Sequence, residues 1–346
     1  MQNIYVIGCG GIGCYILERL PMVISSLTLD LMSKTAGEQA YVNLGKQTLR
    51  QLVDRLVLID GDRFNIRNAV RQRAGAGDKV VQRMLMLKKQ ISQYQDAAAK
   101  TQAAADALKR LKAAAEDPAL AGLPRAVSIL NETQGLSDEL LKEMNSDMIR
   151  VTALQKMRIV GARRYITPDN IAALIPRTLD SDVDYADWLV VEAQRRDAGL
   201  PSLNNTIVFL CVDNKKTRYE VQKYMEKFDD CLLINGGNDK TTGQVNVYEK
   251  CRGKAFDPAL YEVYPDITAN ADKRPDEVEC GAVAPKHDQI AITNSMIANL
   301  MLSWYVKWAR QGLFFVDRKG SEGKRYNEIL LDIEKPTVVP LFHPKS

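Results

Sequence analysis

The chain has 346 residues, 46% apolar and 26% charged, enough to bury a large α/β core and too apolar for an intrinsically disordered polypeptide. Its 47 basic and 43 acidic residues leave a formal charge of +4, a balance that does not advertise a nucleic-acid surface. Six cysteines, at 9, 14, 211, 231, 251 and 280, include no C-x-x-C pair, which argues against a tetrahedral zinc site and a disulfide scaffold and for a reducing cytoplasm.

The apolar run at residues 4–17 is broken by glycines and falls short of the about 20 residues that span a bilayer. No basic n-region precedes it, so neither a membrane span nor a secretory leader is expected. Residues 3–7 read instead as a buried strand that feeds a turn containing Gly8, Gly10, Gly11 and Gly13. Strand, glycine turn and helix are the geometry of a phosphate-binding unit. The glycines allow the tight turn and the close approach of backbone to phosphate, and the helix N-terminus offers unpaired N–H groups. Taken alone, that pattern also suits a glycine turn that merely packs closely. A dinucleotide enzyme places an acidic residue about 20 residues further on. Here the second strand, residues 56–59, comes only after a helical-looking stretch at 21–53, which points to an insertion.

That second strand ends in Asp60 and Asp62, at the carboxyl edge where α/β proteins bind ligands. Asp60 can bond a ribose hydroxyl, and Asp62 can do the same or order metal-bound phosphates. Asn68, Arg71, Gln72 and Lys79 come next. Arg71 offers a planar fork and Lys79 a point charge, and both suit triphosphate oxygens. A dehydrogenase holds only a pyrophosphate and has no use for both cations.

The spacing D-x-D-(x)5-N-x-x-R-Q-(x)6-K behind a G-x-G-G-x-G turn resembles the ThiF/MoeB/ubiquitin-activating enzyme family, with Ala69 where that family usually carries leucine. The resemblance implies ATP as substrate, Asp60 on the ribose, and Asn68, Arg71, Gln72 and Lys79 around the phosphates. It further implies adenylation of the C-terminal carboxylate of a ubiquitin-like or sulfur-carrier protein.

Lys79 to Leu87 should continue as helix. The alanine-rich run at 97–115, without glycine or proline, should be helical, stopping before Pro118, and protruding or lightly packed. Residues 157–162 read as a returning core strand, with Thr167 as N-cap and Pro168 at the first position of the next helix. The expected organisation is an adenylation domain at 1–89 and 156–346, with a helical insertion at 90–155.

The apolar run at 206–212 reads as a strand buried on both faces, which delivers Asp213, Asn214 and Arg218 to the carboxyl edge. A carboxylate there can order Mg²⁺ across nucleotide phosphates. The alternative for Asp213 is a plain helix N-cap. Strands at 231–235 and 244–248 flank the turn GGNDKTTG, which resembles the same family. Residues 250–285 read as a long loop carrying Cys280, the candidate for a thioester with the carrier, with Cys251 second. A core helix at 287–310 and a hairpin of 313–316 with 328–333 complete the chain.

The expected fold is therefore a doubly wound, mainly parallel α/β sheet of ThiF type with helical insertions and a C-terminal β-hairpin. Arg71, Lys79, Asp213 and Cys280 would carry the chemistry, Asp213 as the Mg²⁺ ligand. Asn214 and Arg218 join the ATP site. The partner is a carrier protein with a flexible tail, with neither nucleic acid nor membrane. Relatives are commonly homodimers that supply an arginine in trans from a helix ahead of the first strand. The sequence opens on that strand, so Arg67 or an arginine of the insertion would serve instead. Two rivals stand: an NAD-dependent oxidoreductase, and a non-catalytic scaffold half of an activating-enzyme heterodimer.

Overall fold

A computed structural model describes residues 2–36, 52–64, 77–115, 151, 154, 157–177, 197, 205–268, 291–311 and 326–345. The chain divides into two compact units. The first comprises Met1–Val23, Leu52–Leu87 and Met157–Ser346, and the second Ile24–Gln51 and Lys88–Lys156. The second unit thus takes in residues 24–51 beside the segment expected as an insertion.

One nine-stranded sheet organises the first unit. Strands β1 (Gln2–Ile7), β2 (Val53–Ile59), β3 (Arg158–Ala162), β4 (Thr206–Leu210) and β5 (Cys231–Asn238) form its parallel half, in the order β3-β2-β1-β4-β5. Strands β6 (Thr242–Cys251), β7 (Lys254–Ala255), β8 (Glu328–Asp332) and β9 (Thr337–Leu341) pair antiparallel beyond β5. Among the described residues the helices that position the sheet are α1 (Gly11–Ala36), α2 (Lys79–Ala115), α3 (Ile171–Leu174), α4 (Lys215–Met225), α5 (Leu260–Val263) and α6 (Ala291–Gln311). Among the described residues no helix is long and apolar enough to cross a membrane.

Beyond their polar N-terminal residues the central strands β1, β2 and β4 are apolar, because both faces are covered. Tyr5, Ile7, Val57, Ile59, Val208 and Leu210 share one face, where Val221, Tyr224, Met225 and Phe228 of α4 and its C-terminal turn pack on them. Period-two alternation sends Ile4, Val6, Ile207 and Phe209 to the other face, and all four are fully buried. There the Tyr305 ring of α6 meets Phe209 edge-on, with centroids 5.8 Å apart, and Trp308 stacks on Tyr305. The polar tips of both aromatics are satisfied: Tyr305 donates to Gln2 Oε1 at 2.5 Å and Trp308 Nε1 donates to Glu249 Oε1 at 2.9 Å.

Several expectations are corrected. Residues 79–115 form one uninterrupted helix, since no glycine or proline stops it between Leu87 and Ala97. Strand β3 is an edge strand rather than a core strand, with Val160 44% exposed. Helix α3 starts at Ile171 after Asn170, because Thr167, Pro168 and Asp169 close a turn in which Asn170 Oδ1 accepts from Thr167 N–H. The glycines at 236 and 237 extend β5 instead of forming a loop. Residues 250–268, expected as loop, hold the end of β6, β7, α5 and a 3₁₀ turn at Pro265–Thr268. The C-terminal hairpin is β8 with β9, and β8 also pairs with β6; residues 313–316 lie outside the described residues.

In the second unit, helix α2 exposes Leu111 by 47%, as the thin apolar stripe of its alanine-rich run suggests.

Candidate functional site

The carboxyl ends of β1, β2, β3, β4 and β5 surround a cleft of about 230 Å³. Its floor is the glycine turn after β1. Gly8 has φ +88°, and a Cβ there would stand 2.7 Å from the Cys211 carbonyl oxygen. At Gly13 a Cβ would lie 1.9 Å from Gly8 O, so only glycine lets α1 close on the turn. Gly10 and Gly11 line the cleft beside Gly8, and α1 begins at Gly11 with its first N–H groups at this edge.

The turn is clamped from two sides. The Cys9 N–H donates to Asp60 Oδ2 at 2.6 Å, and the Asp62 N–H donates to Asp60 Oδ1 at 2.8 Å. Arg83, on α2 and 4% exposed, donates from Nε to the Cys9 carbonyl at 3.4 Å, with its guanidinium over the Phe64 ring. Asp60 is thereby a fastener between β1 and β2 as well as a cleft carboxylate. Burial pushes its carboxyl above the usual range, against the pull of Lys79 and the two N–H donors.

Lys79, the first residue of α2, is 6% exposed and sends Nζ to Asp62 Oδ2 at 2.8 Å. Burial works to lower its pKa, but the carboxylates of Asp60, Asp62 and Asp213 outweigh burial and hold the ammonium charged beyond its ordinary range. Asp62 is also bonded by the Tyr165 hydroxyl, whose ring lies against Gly61.

Asp213 sits on the cleft wall just past β4. It is exposed and makes no hydrogen bond or ion pair with the described residues. Asn214 is the N-cap of α4: its Oδ1 accepts the Thr217 N–H at 2.8 Å. The Arg218 guanidinium also lines the cleft and donates to Val212 O at 2.6 Å, Asn235 Oδ1 at 3.0 Å and Gly236 O at 3.1 Å, tying the end of β4 to β5.

Of the residues singled out in the sequence, the structure brings Gly8, Gly10, Gly11, Asp60, Asp62, Lys79, Asp213, Asn214 and Arg218 to this cleft, with Gly13 directly behind the turn. Asn68, Arg71 and Gln72 lie outside the described residues, and so does Cys280. Cys251 is half-buried at the end of β6. Burial raises the thiols of Cys9, Cys211 and Cys231, so none of these three is a ready nucleophile. Sequence reasoning missed Arg164 and Tyr165, which line the cleft, and Arg83, which holds its floor. The signal for Arg164 and Tyr165 was present: residues just past a parallel strand face the ligand edge, and the same rule that picked Asp60 and Asp213 applies after β3.

The donor set suits a nucleotide with its metal ion. Gly8 and Gly13 let the turn close against Cys211 and α1, which sets the α1 N-terminus at the cleft, and the buried Lys79 ammonium lines the same cleft. Among the described residues no group of three or more metal-ligating side chains exists. Asp213, without a partner among the described residues, suits Mg²⁺ carried in by phosphates, since that ion usually takes one or two carboxylates plus substrate oxygens.

No protein-family model matches the chain, and no curated protein does. Among solved structures it is similar to E. coli MccB with AMPCPP and MccA (13% identity, TM-score 0.41), covering 99% of this chain and 64% of that one. It is similar also to PaaA (12% identity, TM-score 0.44), covering 99% and 72%, and to E. coli MccB with ATP (12%, TM-score 0.40), covering 99% and 64%. The chain thus spans just under two thirds of the MccB length it matches.

Proposed function

We propose that the chain is an ATP-dependent enzyme that adenylates a carboxylate. The observation that carries this reading is Lys79, a buried and charged ammonium that lines one cleft with the glycine turn and with Asp213, all at one carboxyl edge. The Gly8–Gly11 turn and the start of α1 receive phosphate oxygens, and Lys79 balances the charge that grows on them during transfer. Asp213 would hold Mg²⁺, which would supply Lewis-acid shielding of the phosphates. A substrate carboxylate oxygen bonds to the α-phosphorus as the bond from that phosphorus to the bridging oxygen breaks. The products are an acyl-adenylate and pyrophosphate, and no net proton is needed.

The substrate carboxylate belongs to the C-terminal tail of a ubiquitin-like or sulfur-carrier protein, or of a smaller peptide, and the working unit is a homodimer. Arg71, Asn68 and Gln72 complete the phosphate site, and Cys280 is the candidate for a following thioester.

ATP–pyrophosphate exchange tests the reading. The wild-type chain exchanges label in the presence of a tail peptide with a free carboxylate. Asp213→Ala lowers the rate by about a hundredfold or more, equivalent to ~2.7 kcal/mol of transition-state stabilisation. Tight NADH binding without ATP binding overturns it in favour of an oxidoreductase, and absence of any nucleotide binding overturns it in favour of a scaffold.

A further inference from the structure

A second recess, of about 630 Å³, adjoins the nucleotide cleft and shares Gly61 and Arg164 with it. It lies at the carboxyl end of β3, and its charged lining is Arg63, Arg163, Arg164 and a single carboxylate, Asp78. Arg163, its side chain 68% exposed, reaches Asp78 only at 3.9 Å, a weak surface pair. The recess is therefore strongly positive, and it opens onto an edge strand.

Strand β3 is the outermost strand of the parallel half, and no described strand pairs with its far side. Its middle is open: Val160 and Gly161 are exposed. Such an edge carries a row of backbone donors and acceptors that an extended chain can satisfy. Direction decides what an added chain could do there. Strand β3 runs parallel to β2, with Ala162 opposite Ile59, the residue before Asp60. A chain added parallel to β3 brings its C-terminus to the same carboxyl edge, about 5 Å from β3 and about 10 Å from the end of β2. An antiparallel chain would carry its carboxylate to the opposite edge of the sheet.

Resting on the adenylation reading above, we propose that the substrate is an acidic C-terminal tail that docks as an added parallel strand on the free edge of β3. Its backbone bonds to the edge, its acidic side chains near the terminus lie over Arg63 and Arg163, and its terminal carboxylate passes Arg164 into the nucleotide cleft. Affinity comes from the strand ladder, and preference for acidic tails from the arginine recess.

The test uses the full chain and a fluorescein-labelled eight-residue peptide with acidic residues before a free C-terminal carboxylate, followed by anisotropy without ATP. Binding is expected to weaken with salt, to weaken at least about tenfold in Arg63→Glu/Arg163→Glu, and to survive in Arg163→Lys. Backbone N-methylation of the peptide is expected to abolish binding at alternate positions only, because a parallel added strand points every second N–H at its neighbour. Thermal melts of each variant separate lost docking from lost folding. Equal affinity after charge reversal, equal effects at both N-methylation phases, or an edge blocked by a second copy of the chain overturns the proposal. Peptide binding with the expected signatures but no pyrophosphate exchange retains the docking edge and overturns adenylation. Exchange with peptides indifferent to β3 does the reverse.

Discussion

At the scale of single residues, Lys79 holds the cleft together before any ligand arrives. Its ammonium faces Asp60, Asp62 and Asp213, and only Asp62 is in direct contact. Under the proposed function an arriving triphosphate must share Lys79 with Asp62, which also accepts a hydrogen bond from the Tyr165 hydroxyl. This arrangement has a pH signature. A lysine whose folded pKa lies above its ordinary value near 10.5 contributes stability that is complete below that value and lost as pH rises through the folded pKa. Wild type should therefore exceed Lys79→Gln by about 2 kcal/mol, a typical charged hydrogen bond, from neutral pH to about pH 10, with the gap closing above. Denaturant melts of both proteins at several alkaline pH values measure it, and a gap that widens with pH would refute the assignment. Lys79 was legible from its spacing to Asp60. Tyr165 and Arg83 were not, because their roles depend on where β3 ends and on how the first turns of α2 lie over Cys9, neither of which spacing encodes.

At the scale of elements, the join between β4 and α4 separates capping from ligand binding. Asn214 was read from the sequence as part of the nucleotide site. In the structure its side-chain Oδ1 accepts the Thr217 N–H, and Arg218 braces the carbonyls of Val212 and Gly236. Both residues thereby fix where Asp213 stands. Asn214→Ala should cost about 1 kcal/mol and lower Tm by about 2 °C, while Asn214→Ser should recover most of the loss. Calorimetry gives the cap energy, and ATP titration of the serine variant shows whether the amide also meets the nucleotide: an unchanged Kd means that it only caps. The strands were readable because unbroken apolar runs such as TIVFL have few other homes than a doubly covered sheet. Their order was not readable. Nothing local marks β3 as an edge, and glycines 236 and 237 look like a turn until α6 packs against the strand that contains them. Strand β9 escaped notice because its valines are exposed and a proline interrupts it.

At the scale of the molecule, the two halves of the sheet are built differently. The parallel half is apolar between its strand ends and carries the cleft, with its charges, at one of those ends. The antiparallel half buries charge: Glu328, 1% exposed, accepts from Asn246 Nδ2 at 2.8 Å and from the Tyr264 hydroxyl, and lies 2.5 Å from His343 Nε2 beyond β9. One carboxylate thus joins β6, β8, the turn after α5 and the C-terminal segment. Glu328→Ala strands three polar partners and should cost about 3–5 kcal/mol. Urea unfolding reads this directly, and a loss below about 1 kcal/mol would show that the network is not a structural centre.

The proline in β9 has a further consequence. Pro340 stands in the last strand of the sheet with no hydrogen on its nitrogen, and prolines in sheets keep that nitrogen toward solvent. The β9 edge therefore lacks a donor where a following strand would need one, while the β3 edge keeps its full row. Growth of a fibre by edge pairing needs two receptive ends, so among the described strands a contact through β3 meets a mismatched end at β9, which disfavours open-ended assembly.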